Sequence, residues 1–159
     1  MKHLLFAATM LATAALAGCL DDDKSPYVEL RGGGFQFNYR IAEATATVVL
    51  GALRTLPANS TIEVNFENPA GGAPIVLRKP VGANDTAIDL STPPLTGIVK
   101  DKPYQVTIRL LDKDGKELQR IERPYKSNLD QAILPEKPLV VGPGYTPNPD
   151  LQKKDSSGG

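Results

Sequence analysis

From residue 35 to residue 126 the chain is a succession of short runs of alternating polarity, cut apart by Pro, Gly and Asn-Asp. The clearest run is residues 103–111, where Tyr104, Val106, Ile108 and Leu110 recur on one face. A period of two belongs to a strand with one buried side, because successive side chains leave a pleated backbone on opposite faces. Residues 61–67 repeat the pattern with Ile62, Val64 and Phe66, and residues 35–41 repeat it with Phe35, Phe37, Tyr39 and Ile41. Residues 74–79 and 86–90 form two shorter runs on either side of Pro80, Gly82 and Asn84-Asp85. Between residues 42 and 53, Ile41, Ala44, Val48 and Ala52 have helical spacing. The β-branched Thr45, Thr47, Val48 and Val49 outweigh it and predict a strand near residues 45–50. Asp112-Lys113-Asp114-Gly115 is a hairpin signal leading into residues 117–123. Leu118 and Ile121 have opposite parity there, which predicts a bulge.

Seven such strands over about 90 residues, with no long helix among them, predict an all-β fold: a single antiparallel β-sandwich of immunoglobulin or fibronectin type III shape. A small closed barrel is the alternative. The sequence has one Cys and no Trp, so the Cys and Trp hallmarks of antibody domains are missing and the reading concerns architecture alone. With no second cysteine there is no intramolecular disulfide, and a packed core must supply the stability. Residues 19–34, acidic and then glycine-bearing, read as a flexible tether. Residues 127–134 have the composition of one or two helical turns. Five prolines then fall between Pro135 and Pro149, interleaved with Leu139, Val140, Val141 and Tyr145. That stretch favours extended conformations, yet those four residues are too apolar for an idle linker. They read as an arm that lies along the sandwich or awaits a partner; residues 152–159 read as a disordered end.

The N-terminus has a different grammar. Met1-Lys2-His3 precedes an Ala- and Leu-rich run over residues 4–16, followed by Leu16-Ala17-Gly18-Cys19. The apolar run is shorter than the ~20 residues a transmembrane helix requires, but it has the length of a secretory h-region. The four residues resemble the lipobox of a bacterial lipoprotein precursor. Leu16, Ala17 and Gly18 then stand at the signal-peptide recognition positions, and Cys19 at the lipidated one. The resemblance implies cleavage before Cys19, a diacylglycerol on its sulfur and, usually, acylation of the new amino group. Two or more chains hold a protein durably at a membrane, whereas one binds reversibly. In enteric bacteria an aspartate directly after the cysteine retains a lipoprotein at the inner membrane. Leu20 occupies that place here, which favours the outer membrane, facing the periplasm. The expected organisation is a signal peptide over 1–18, a tether over 19–34, a sandwich over 35–126 and a Pro-rich arm and tail over 127–159.

Charge and residue inventory narrow the functions. The 18 basic and 18 acidic residues become 17 and 18 once Lys2 leaves with the signal peptide. A formal charge of −1 without basic clusters argues against nucleic acid, whose phosphates require a concentrated Lys/Arg face. The only histidine is His3 and the only cysteine is Cys19. The processed chain therefore lacks the usual general base, a free thiol nucleophile and the His and Cys ligands of most zinc and copper sites. Asp112 and Asp114 supply too few ligands for a calcium loop. We therefore expect no enzyme, no metal and no cofactor.

One internal stretch resembles a known family. Leu56-Pro57-Ala58-Asn59-Ser60-Thr61-Ile62-Glu63-Val64, followed later by Tyr104-Gln105-Val106, is similar to the opening and a later strand of YbaY/YscW-type bacterial lipoproteins. That resemblance implies a small sandwich-like domain, and the YscW branch assists secretin assembly. The expected function is a non-enzymatic lipid-anchored module that binds a protein partner in envelope assembly or scaffolding. A small-ligand or glycan binder using Phe35, Phe37, Tyr39 and Tyr145 is the alternative.

Overall fold

A computed structural model describes residues 25–152; the expected signal peptide, the lipobox-like residues Leu16, Ala17, Gly18 and Cys19, and the last seven residues lie outside the described residues. Seven strands carry the domain: β1 (Val28–Asn38), β2 (Glu43–Ala52), β3 (Ser60–Phe66), β4 (Ile75–Val81), β5 (Ala87–Ser91), β6 (Pro103–Leu111) and β7 (Glu117–Lys126). They form two antiparallel sheets, ordered β1-β2-β5 and β4-β3-β6-β7, packed face to face. This is the β-sandwich anticipated from the alternation.

The inner faces come from the residues of matching parity. Ala44, Ala46, Val48 and Leu50 of β2 face Ile62, Val64 and Phe66 of β3 and Val106, Ile108 and Leu110 of β6, all of them buried. Small residues sit where large ones need room: Phe35 and Phe37 of β1 pair directly with Ala46 and Ala44 of β2. The bulge predicted from Leu118 lies between β6 and β7, where the register slips at Leu110/Leu111. The hairpin between them is fixed by Asp112, whose carboxylate accepts from the N–H groups of Asp114 and Lys116, both at 2.9 Å. Those bonds, that to Lys116 first, hold its carboxyl below the usual range. Its oxygens thus serve the turn.

Two sequence expectations require correction. The tether does not reach residue 34: β1 begins at Val28, and Gly32, Gly33 and Gly34 lie within it. Gly33 and Gly34 adopt φ of 143° and 140°, a region open to glycine and strained for other residues. A Cβ on Gly33 would stand 2.3 Å from both the Thr47 carbonyl oxygen and the Tyr125 hydroxyl. Gly33 therefore lets Tyr125 of β7 close down on β1. The Gln119 side chain closes the same edge further along. Its oxygen accepts from the N–H groups of Tyr27 and Val28 (2.7 and 3.0 Å), and its nitrogen donates to the Val28 carbonyl at 2.7 Å. A side chain here does what a neighbouring strand would.

The second correction concerns the arm. Residues 138–149 are not a simple extended strip but a folded hairpin, β8 (Val140–Val141) against β9 (Thr146–Pro147), followed by one helical turn, α1 (Pro149–Gln152). Gly142 (φ 69°) and Tyr145 (φ 51°) supply the left-handed residues that turn it.

Tyr104, at the start of β6, ties the connection from β5 to the core. Its ring is buried; its hydroxyl accepts from the Val99 N–H at 2.9 Å and donates to the Gly97 carbonyl at 3.3 Å. This is the tyrosine corner of immunoglobulin-like sandwiches. Phe35 packs edge-on against the same ring, centroids 5.5 Å apart. Replacing Tyr104 by Phe keeps the ring but leaves the Val99 N–H without its acceptor. A loss of about 1–3 kcal/mol is expected, measurable by urea unfolding; an unchanged midpoint would mean that water replaces the hydroxyl.

Candidate functional site

The chain enters β1 at one pole of the sandwich and leaves it at the other. Eleven residues of β1 at ~3.3 Å each separate the poles by about 35 Å. The far pole comprises the β1–β2 and β3–β4 turns, the connection from β5 to β6 and everything after β7. Of nine large apolar side chains exposed among the described residues, seven belong to it: Tyr39, Val99, Ile133, Leu139, Val141, Tyr145 and Leu151. The other two, Leu53 and Val76, stand apart from one another. Scattered exposed apolar residues need no explanation, but a concentration on one surface does.

The arm is placed there by a series of backbone bonds. After β7, the Asp101 N–H donates to the Ser127 carbonyl and the Gln131 N–H to the Ile98 carbonyl. A single 3₁₀ turn at Gln131–Ile133 follows, capped by Asp130, whose carboxylate accepts from the Ala132 N–H. The expected helical turns are thus reduced to one, because Leu134 packs on the core and Pro135 stops the helix. The N–H groups of Leu139 and Val140 then both donate to the Arg40 carbonyl, at 2.8 and 3.1 Å. The Arg40 guanidinium lies 4.9 Å from the Tyr145 ring centroid, within cation–π range. Asn148 pins the hairpin from inside: its N–H reaches the Leu139 carbonyl, its amide nitrogen the Pro138 carbonyl, and its oxygen accepts from Asp150. Asn148 is buried and was not singled out by sequence. An Asn before a Pro is a turn signal, but its partners ten residues back are invisible without the fold.

Of the predicted arm residues, the structure leaves Leu139, Val141 and Tyr145 exposed and Val140 half-buried, all on this hairpin. Arg40, the neighbour of Tyr39 in the β1–β2 turn, is brought beside them. Phe35 and Phe37 are half-buried and belong to the core packing. The turn also borders a groove of about 470 Å³ on the outer side of β1 and β2, lined by Gln36, Phe37, Asn38, Tyr39, Arg40, Ile41, Glu43 and Thr45.

The outer face of the four-stranded sheet is of another kind. Glu63 of β3 stands in register with Arg78 of β4 and Arg109 of β6, and Arg109 with Arg120 of β7. Although it points outward, the Glu63 side chain is only 2 % exposed, because both guanidiniums close over it. One of its oxygens accepts from Arg109 and Asn65, and the other from Arg78 at 2.7 Å. Glu117 links Arg109 and Arg120 at 3.8 and 3.4 Å. The sequence predicted Glu63 on the outer face but not this ladder, since cross-strand register is absent from a linear pattern. The groups are spent on one another, leaving little for a ligand. Among the described residues no three His, Cys, Asp or Glu are grouped to hold a metal, and no helix is long and apolar enough to cross a membrane.

Compared with known protein families and with curated proteins, the chain matches none of them.

The ladder has a pH signature. Hydrogen bonding from Arg109, foremost, overrides the cost of burial and holds Glu63 down to about 2 from an ordinary 4.5. A folded-state pKa below the unfolded value stabilises the fold above the ordinary pKa, and that stabilisation is lost as the pH falls. Urea unfolding should therefore show stability declining between pH 4.5 and about 2, and Glu63→Gln should flatten the decline in that window. Parallel slopes for the two proteins would assign the acid sensitivity to other carboxylates.

Proposed function

We propose that this chain is a lipid-anchored, non-enzymatic β-sandwich that binds a protein partner in envelope assembly or scaffolding, using the pole that carries the C-terminal hairpin. The observation behind this reading is the gathering of exposed apolar side chains, Leu139, Val141 and Tyr145 foremost, at the end of β1 opposite the N-terminal entry. A chain held at Cys19 presents that end away from the bilayer, where another protein can reach it. Tyr, with its large apolar body and polar tip, is a favoured interface anchor. The hairpin is attached by few backbone bonds, which leaves its apolar residues outside the core. The lipobox resemblance supports the anchor and the outer-membrane, periplasm-facing location. The stretch similar to YbaY/YscW-type lipoproteins falls on β3, β6 and the buried Leu56, so it supports a common kind of fold more than a common partner.

Site-specific photo-crosslinking in cells tests the reading. A photoreactive residue placed at Leu139, Val141 or Tyr145 of the full-length protein should give a discrete adduct, and one at Val76 or Leu53 should not. Truncation after Leu134 should abolish the partner's co-purification. Cys19→Ser should remove palmitate labelling and membrane fractionation. Equal adducts at every position, or a partner retained after truncation, would remove the hairpin from the function; a serine variant that still labels and sediments with membranes would remove the anchor.

A further inference from the structure

The groove on the outer side of β1 and β2 is not made of the apolar residues of the hairpin and answers to a different chemistry. In the β1–β2 register Gln36 stands opposite Thr45, and Asn38 opposite Glu43. Their neighbours Phe35, Phe37, Ala44 and Ala46 point to the core side, so these four share the outer face. Directly opposed residues stand about 5 Å apart and residues two apart on a strand about 7 Å apart. Four polar groups thus mark out a patch with the footprint of one sugar ring. Tyr39, 41 % exposed, adds an aromatic ring at the end of that patch.

The polar groups are also uncommitted. Asn38 spends its oxygen on the Arg40 N–H at 3.1 Å, which steadies its amide. Among the described residues, Gln36, Glu43 and Thr45 have no side-chain hydrogen-bond partner, so a ligand would displace water and break no internal bond. The two charged residues of the lining, Arg40 and Glu43, are of opposite sign. A neutral site gives no hold on a phosphate or a polyanion. An apolar ligand would need an enclosed cavity, and this one is an open trough with two amides on its wall.

We propose that this groove binds a neutral pyranose glycan, one sugar ring lying against Tyr39 with its hydroxyls bridging the Gln36, Asn38, Glu43 and Thr45 side chains. Amides and a carboxylate exchange hydrogen bonds with vicinal hydroxyls as donor and acceptor, and an aromatic face receives the C–H side of the ring. The volume of about 470 Å³ falls within the ~300–1,000 Å³ of small-ligand sites. The inference does not rest on the protein-partner reading, and Leu139, Val141 and Tyr145 take no part in it.

The test is an NMR titration of the full-length protein with chitotetraose, cellotetraose and maltotetraose. At least one should give saturable shifts of the Gln36 and Asn38 side-chain amides, with affinity weakened at least tenfold by Tyr39→Ala and several-fold by Glu43→Gln. Tyr39→Phe should bind as the parent does. Tyr39 is an exposed turn residue, so unchanged core amide shifts will report that the variants are folded. No saturable shift with any of the three, shifts away from residues 36–45, or binding indifferent to both Tyr39→Ala and Glu43→Gln would overturn the proposal. Crosslinks from Leu139 and Tyr145 are read separately, so the two proposals stand or fall apart.

Discussion

The far pole depends on one buried hydroxyl. Tyr104 holds Gly97 and Val99 at fixed distances from the core, and this places the Ile98 carbonyl, which receives Gln131. The same corner brings Asp101 to Ser127. From those bonds the chain continues towards the β1–β2 turn, where the N–H groups of Leu139 and Val140 meet the Arg40 carbonyl. The ring of Tyr104 also supports Phe35, on the strand that leads into that turn. One residue therefore sets both halves of the surface: the turn through packing, and the arm through hydrogen bonds. An unpaired hydroxyl in this position would cost more than the bonds contribute, because burial removes water as a partner.

How the sheets end explains why the pole is the surface on offer. Sheet edges invite pairing with other chains, and these edges are occupied. β4 carries Pro80 and β7 carries Pro124, neither of which can donate to a new strand. On β4, Lys79 also reaches across to the Asp89 carbonyl of β5 at 3.1 Å. On the opposite side, Gln119 and Tyr125 close β1 against β7. With the edges closed and the outer face of the larger sheet neutralised by the Glu63 ladder, the pole and the adjoining groove are the least self-satisfied surfaces of the domain.

The strands were legible because each buries one side, and burial writes a period of two into the sequence at β3, β5 and β6 without reference to anything distant. Where local composition and tertiary context disagree, the sequence misleads. Gly32, Gly33 and Gly34 have the composition of a tether, yet the missing side chain of Gly33 is what Tyr125, ninety-two positions later, requires. Residues 135–149 have the composition of an extended arm, but a hairpin needs only two left-handed residues and one buried Asn to close. The apolar character of Leu139, Val141 and Tyr145 was visible; that Arg40 meets their hairpin was not, because a separation of about a hundred residues leaves no periodic trace. Glu63 shows the same limit: its parity is local, whereas its two arginines are a matter of register.

The early start of β1 also changes the reach of the proposed anchor. With the strand beginning at Val28, nine residues from Cys19 to Tyr27 remain to connect lipid and domain, and even fully drawn out they span no more than about 30 Å. The hairpin pole lies a further strand length of about 35 Å away. A sandwich standing on such a connection keeps its N-terminal pole close to the bilayer while its opposite pole clears the headgroups. A longer tether would let the domain lie on its side and hide the hairpin and groove against the membrane. Recruiting the glycines into β1 shortens the connection, so under the proposed anchoring the residue that admits Tyr125 to the core would also help to decide which surface faces away from the bilayer.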